Sequence, residues 1–229
     1  MNDQSSEDKD LEHWPSNHDT EDTVLVYLDL LYAKGPTAEL SNQVHENLKK
    51  FLAQSTVFYD LVEDTPVGPI MTAVDGKGVI AVEFGRDLRD FGKRLSEDFN
   101  AWALRSSSKT AQVRGQLLEY FSGERTTFEL PISLGHVTDF QREVLMATSK
   151  VRPGEVSTYG EIARRIGKSR AARAVGQALA RNPMPIVIPC HRVLGGDGAL
   201  HGYSGKGGLK TKMALLVHEG ASGSFKESL

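Results

Sequence analysis

The chain has 229 residues, 39% of them hydrophobic and 25% charged, with a formal net charge of −3; that is enough for one substantial core or two small ones, and two domains are expected. No apolar stretch approaches the roughly 20 residues of a membrane span, and Met1-Asn2-Asp3-Gln4-Ser5 offers neither the basic nor the apolar part of a secretion signal, so a cytoplasmic protein is expected. One cysteine, Cys190, excludes an intramolecular disulfide and any zinc site built on cysteine pairs, and no metal site is expected.

The charge is unevenly spread. Residues 135–229 carry 14 Lys and Arg against 7 Asp and Glu, a net +7, whereas the remainder carries 13 against 23, a net −10. A basic C-terminal part is consistent with polyanion binding, although +7 over that length is also compatible with ordinary surface charge.

In chain order, residues 1–22 hold eight acids and one lysine, show no apolar period, and are expected to be a disordered acidic leader. Residues 23–60 are expected to be a helical extension: Val24, Leu25, Leu28 and Leu31 form one stripe, and Leu40, Val44, Leu48, Phe51 and Leu52 a second, separated by Gly35-Pro36. This extension packs on the body or binds a protein partner. Residues 61–134 read as a small α/β domain. The runs Ile70–Val74 and Val79–Phe84 are joined by Asp75-Gly76-Lys77-Gly78, a hairpin signal. Helical stretches follow over Leu88–Leu104 and Ala111–Phe121, then a strand over Thr127–Pro131.

Beyond residue 135 strand signals stop. Thr138-Asp139-Phe140-Gln141 opens a helix with Asp or Thr as cap. Residues 158–182 read as a helix-turn-helix: Thr158–Ile166, a break at Gly167-Lys168-Ser169, and Arg170–Asn182. The second helix places Ala172, Ala174 and Gly176 where a major-groove reader carries long polar side chains. Small residues permit close approach to a minor-groove wall, with Arg173 as the long probe, or alternatively tight packing in a core. Six basic residues between Arg164 and Arg181, among them Arg170, favour phosphate contact. The C-terminal domain is expected over 135–221, and residues 222–229 as a tail.

The run Ile186-Val187-Ile188-Pro189-Cys190-His191-Arg192-Val193 carries the lone thiol beside a histidine. A nucleophilic cysteine needs a base or cation nearby. In an extended segment Cys190 and His191 point oppositely, so a bridging water would link them, with Glu219 holding the His191 tautomer. The alternative is a small buried Cys190 and a Glu219 on a helix end.

These residues closely resemble the O6-alkylguanine-DNA alkyltransferases, the methylated-DNA–protein-cysteine methyltransferases. The likeness rests on Pro189–Val193, Asn182–Ile186, Arg152–Gly160, Arg173–Gly176, Gly202–Gly205 and His218–Gly220 in order. It runs from about Pro66 to Gly220 and is densest after Gln141. The resemblance implies an α/β (α+β) fold, a ribonuclease H-like N-terminal domain and a mostly helical, winged-helix-like C-terminal domain. It implies a single-turnover enzyme that moves the alkyl group from O6-alkylguanine in double-stranded DNA, with O4-alkylthymine as a further substrate, to Cys190, without a cofactor and as a monomer. By the same resemblance His191, Glu219 and Asn182 serve the thiol, and Tyr203 donates to the departing base. The Ser204 amide contacts O6, and the carbonyls of Cys190 and Val193 read the guanine amino group. Arg173 fills the stack after the base flips through the minor groove, Tyr159 crowds the 3′ phosphate, and Pro185 and Leu179 line the pocket. Ala172, Ala174, Gly176, Arg170 and Arg181 face DNA.

The sequence departs from the family in two places: Ala214 stands where the family usually has Trp, and the Gly205–Gly208 loop is longer. Two other functions remain compatible with single features. One is non-catalytic recognition of alkylated DNA that signals to excision repair, though in members of that kind the cysteine is replaced. The other is a cysteine hydrolase, which wants His in direct contact with the thiol and an oxyanion hole.

Overall fold

The computed structural model describes residues 56–200, 202, 203, 205 and 207–221, together with Asn42, His45 and Glu46, which are helical. The expectations for the acidic leader, for the rest of residues 23–55 and for the tail lie outside the described residues, as does Ser204. Residues 56–221 fall in one compact unit spanning Lys50–Leu229.

The described part of that unit opens with a strand where a helical extension was expected over residues 23–60. Thr56-Val57-Phe58-Tyr59 is β-branched and aromatic, and it begins β1, Thr56–Val62. Strands β2, Ile70–Asp75, and β3, Gly78–Phe84, form the expected hairpin. The Asp75 carboxylate closes its turn by accepting from the Lys77 and Gly78 amides at 2.7 and 2.8 Å. The helical reading over Leu88–Leu104 is corrected. Helix α1 spans Leu88–Phe99 and stops at Asn100 in the left-handed region, after which Trp102–Arg105 forms β4. The sheet order is β3-β2-β1-β4, with β4 parallel to β1 and the other pairs antiparallel. One face, with Val57, Met71, Ala73 and Ile80, packs on Phe91 and Leu95 of α1.

Helix α2, Ala111–Ser122, lies on the opposite face through Val113, Leu117 and Tyr120. The expected strand over Thr127–Pro131 does not form. Its backbone is satisfied by a side chain instead: Glu129 N–H donates to Gln116 Oε1 at 2.8 Å, and Gln116 Nε2 donates to Glu129 O at 3.1 Å. The next residues cover the free edge of β3, since Val79 N–H donates to Pro131 O and Ser133 N–H to Val79 O. A Cβ on Gly78 would lie 2.2 Å from Pro131 O, so only glycine permits that approach.

The rest is helical. Helix α3, Asp139–Thr148, is capped by Thr138, whose hydroxyl accepts from Gln141 N–H. A two-residue strand β5, Ser157–Thr158, leads into α4, Tyr159–Arg165, through a reciprocal cap. Thr158 Oγ1 accepts from Glu161 N–H at 3.1 Å, and Glu161 Oε2 from Thr158 N–H at 2.8 Å. Helix α5 covers Ala172–Ala180, shorter than the expected Arg170–Asn182. Strand β6, Val193–Leu194, pairs with β5, and α6 spans Leu209–His218. Val62, Ile70 and Val82 of the sheet share one core with Val144, Leu145, Ile162, Val175 and Met184, and Cys190 sits in it. Among the described residues no helix is long and apolar enough to cross a membrane.

Candidate active site

Prolines at 183, 185 and 189 bar a regular element after α5, and the loop they leave is fixed by side-chain and edge contacts. Val82 N–H on β3 donates to Pro183 O at 2.9 Å. The buried Asn182 amide spans the loop, with Nδ2 donating to Ile188 O at 2.9 Å and Oδ1 accepting from Met184 N–H at 3.1 Å. Ile186 is held at φ 76°, a conformation that costs a β-branched residue about 1–2 kcal/mol. The Ile188 N–H to Met184 O bond, at 2.9 Å, closes around it.

Cys190–Arg192 then form one 3₁₀ turn, closed by Val193 N–H on Cys190 O. The extended geometry expected for Cys190 and His191 is therefore corrected, because the proline-led turn curls the segment. The Cys190 side chain is buried, and burial raises its thiol pKa, opposed by a hydrogen bond from Asn182 and the nearby Lys212 charge. Lys212 Nζ, itself buried, donates to Val193 O at 2.7 Å. Burial pulls Lys212 down to about 8, with the Cys190 charge opposing.

His191 is fully buried. Its Nε2 lies 2.9 Å from Glu219 Oε1, and its Nδ1 is buried with no hydrogen-bond partner among the described residues. A carboxylate accepts only, so Nε2 carries the proton and Nδ1 presents a lone pair. Burial lowers the His191 pKa, partly countered by Glu219 and assisted by Arg192 and Lys212. Arg192 grips the same carboxylate with two bonds, Nε to Oε2 at 2.8 Å and Nη2 to Oε1 at 2.7 Å. Tyr120 OH donates to Oε1 at 2.8 Å. Burial pushes Glu219 up, but the bonds from His191 and Arg192 outweigh it and hold the carboxyl at about 2.

A cavity of about 310 Å³ opens beside Cys190, lined also by Tyr159, Gly176, Leu179, Ala180, Gly202 and Tyr203. Tyr203 turns its ring edge to Phe84 at 6.2 Å, and its buried hydroxyl has no partner among the described residues. A Cβ on Gly205 would meet the Tyr203 and Phe84 rings at 2.4 and 2.7 Å, so glycine is required there. Pro185, expected on the pocket wall, is instead buried in a bridge with Ile188. A second cavity of about 300 Å³, among Phe91, Arg94, Phe99, His136 and Pro183, shares no lining residue with the first.

On α5, Val175, Ala178 and Leu179 face inward, Arg173 is exposed, and Ala172, Ala174 and Gly176 are half-buried. Arg173, Gly176 and Ala180 share one helical face, so the exposed guanidinium stands on the side that borders the cavity. Arg170 and Arg181 are exposed at the two ends of α5. The sequence reading did not single out Arg192, Lys212 or Tyr120 for the site. Only Arg192, next to His191, carried a local signal. Among the described residues no group of three or more His, Cys, Asp or Glu could hold a metal ion.

Two family models match the chain: the 6-O-methylguanine DNA methyltransferase ribonuclease-like domain over residues 57–134, and the DNA-binding domain of the same family over 139–221. A methylated-DNA–protein-cysteine methyltransferase of Methanosarcina acetivorans is 39% identical over 163 residues, 71% of this chain and 99% of that protein. Its counterpart in Methanosarcina barkeri is 42% identical over 163 residues, 71% of this chain and 97% of that protein. The crystal structure of Mycobacterium tuberculosis OGT in complex with DNA is similar at a TM-score of 0.59 and 35% identity, covering 71% of this chain and 92% of that one.

Proposed function

The chain belongs to the methylated-DNA–protein-cysteine methyltransferase family, and from that premise we propose that Cys190 is the residue that takes the alkyl group. The reaction is direct reversal of O6-methylguanine in DNA. The observation that carries the assignment is the placement of Cys190 on the wall of a cavity, beside a histidine whose second nitrogen is bound to a carboxylate.

The thiol proton passes through a bridging water to His191 Nδ1, and Glu219 stabilises the imidazolium without taking the proton, since a carboxyl held at about 2 is too weak a base. The sulfur lone pair attacks the methyl carbon in line, the carbon–O6 bond breaks, and its electron pair leaves with the guanine. The Tyr203 hydroxyl, kept protonated by burial, donates to the base as charge develops. The thioether is not reopened, so each chain acts once.

Among the described residues the Cys190 carbonyl accepts from Val193 N–H and the Val193 carbonyl from Lys212 Nζ. A carbonyl oxygen has two lone pairs, and the guanine amino group would take the second. In duplex DNA the base must first leave the stack, at a cost of a few kcal/mol. Exposed Arg173 is suited to fill the gap from the minor groove. Tyr159 is suited to crowd the phosphate, with Arg170 and Arg181 neutralising its neighbours. Cys190→Ala is the test. It should abolish transfer while keeping or tightening binding to an O6-methylguanine duplex, and any transfer that persists would defeat the assignment.

A further inference from the structure

Glu219 Oε1 is oversubscribed. It receives His191 Nε2 at 2.9 Å, Arg192 Nη2 at 2.7 Å and Tyr120 OH at 2.8 Å. The first two donors come from the Cys190 turn, 27 and 28 positions away, but Tyr120 lies 99 positions away on α2 of the sheet domain. Tyr120 is also held by its backbone: the ring of His218, the residue before Glu219, stands edge-on to the phenol at 4.9 Å, and His218 Nε2 lies 2.7 Å from Tyr120 O. Two consecutive residues at the end of α6 thus clasp one tyrosine at both ends. Phe121 and Phe128 pack around it, with ring centroids at 5.1 and 5.4 Å.

We infer that Tyr120 is a positioning residue for the transfer reaction, through which the sheet domain sets the strength of the Glu219–His191 hydrogen bond and hence the basicity of His191. The inference rests on the relay read above. A carboxylate oxygen has a fixed lone-pair density, and a buried phenol drawing on it leaves less for the imidazole. The phenol stays a donor because burial and the Glu219 charge raise its pKa, with only the Arg192 charge opposing. Among the described residues the charged groups that bear on His191 are Glu219, Arg192 and Lys212, and Tyr120 touches the first of them directly. Without the hydroxyl, Oε1 carries more charge toward Nε2. The imidazolium is then better stabilised, and His191 takes up a proton at higher pH.

The experiment compares single-turnover transfer rates from an O6-methylguanine duplex across about pH 5 to about pH 8 for wild type, Tyr120→Phe and Phe128→Leu. Tyr120→Phe should move the acid limb of the rate profile to higher pH, because the more basic His191 is protonated sooner as pH falls. Phe128→Leu loosens the same aromatic packing but keeps the phenol, so its limb should stay with wild type. A Tyr120→Phe limb that coincides with wild type overturns the inference while leaving the relay intact. A Phe128→Leu limb that moves as far as that of Tyr120→Phe also overturns it, by showing a packing effect. A wild type that takes no alkyl group on Cys190 overturns the relay and this inference together.

Discussion

Arg192 and Glu219 form a two-pronged pair inside the protein, Nε to Oε2 at 2.8 Å and Nη2 to Oε1 at 2.7 Å, with the two side chains 6% and 2% exposed. The guanidinium fixes the carboxylate plane, and the fixed carboxylate orients His191. Arg192 also donates from Nη1 to Val151 O, tying the turn to the loop that follows α3.

Glu219→Gln keeps the shape but strands the Arg192 charge. Breaking a buried pair from one side costs about 3–5 kcal/mol. Thermal denaturation should show a loss of that order, and the transfer rate should fall by roughly 10²-fold or more, because an amide does not fix the His191 tautomer or stabilise its cation. A variant of unchanged stability and rate would show that the pair has no part in either.

The pH response follows from depressed pKa values. Glu219 lies at about 2 against an ordinary 4.5, so it binds fewer protons folded than unfolded between those values. Its stabilisation is whole above about pH 4.5 and is lost as pH falls toward 2. The shift corresponds to about 3 kcal/mol. His191 is also lowered from 6.5, so its contribution is whole above pH 6.5 and declines below it. Stability should therefore fall monotonically on acidification, and the transfer rate should hold constant through pH 6.5 and drop only at lower pH. Denaturation midpoints and single-turnover rates over a pH series check both; a rate already halved at pH 7 contradicts the placement of His191.

Gly176 offers a trade between stability and reach. A Cβ there would meet only the Tyr159 ring, at 3.8 Å, an ordinary contact. Gly176→Ala should stabilise α5 by about 0.5–1 kcal/mol, yet it adds a methyl to the wall of the alkyl pocket. Denaturant midpoints should rise while transfer of a benzyl group slows more than transfer of a methyl group. Equal slowing of both would remove Gly176 from the wall.

Arg173→Ala separates flipping from chemistry. Repair of an O6-methylguanine duplex should slow more than repair of the same base in a single strand, where little stacking is lost. Equal effects on both substrates would leave Arg173 with phosphate contact alone.

The hairpin, α2, α3 and α4 were legible because their signals are local: Asp75-Gly76 in a turn, Thr138 and Thr158 as caps, and apolar periods between. Strand β4 was not, since Trp102–Arg105 is short, has no fully buried residue, and is a strand only through pairing with β1. Strand β1 was missed for a different reason. Its Thr56–Tyr59 run carried β-type residues but adjoined a helical period ending at Leu52. In the site, the motif brought Cys190, His191, Asn182, Tyr203 and Glu219 to attention, and the structure places the first four and Glu219 around one cavity and one turn. Tyr120 and Lys212 had no such mark. They reach the site from other helices, and a contact made across 99 residues leaves no spacing to read.

Intact mass after incubation with an O6-methylguanine oligonucleotide, followed by peptide mapping, bears most directly on Cys190 as acceptor. The gain should be about one CH₂ per chain, saturate there, and map to the peptide holding Cys190. A chain that binds the oligonucleotide tightly and gains no mass, or gains it elsewhere, would contradict the assignment.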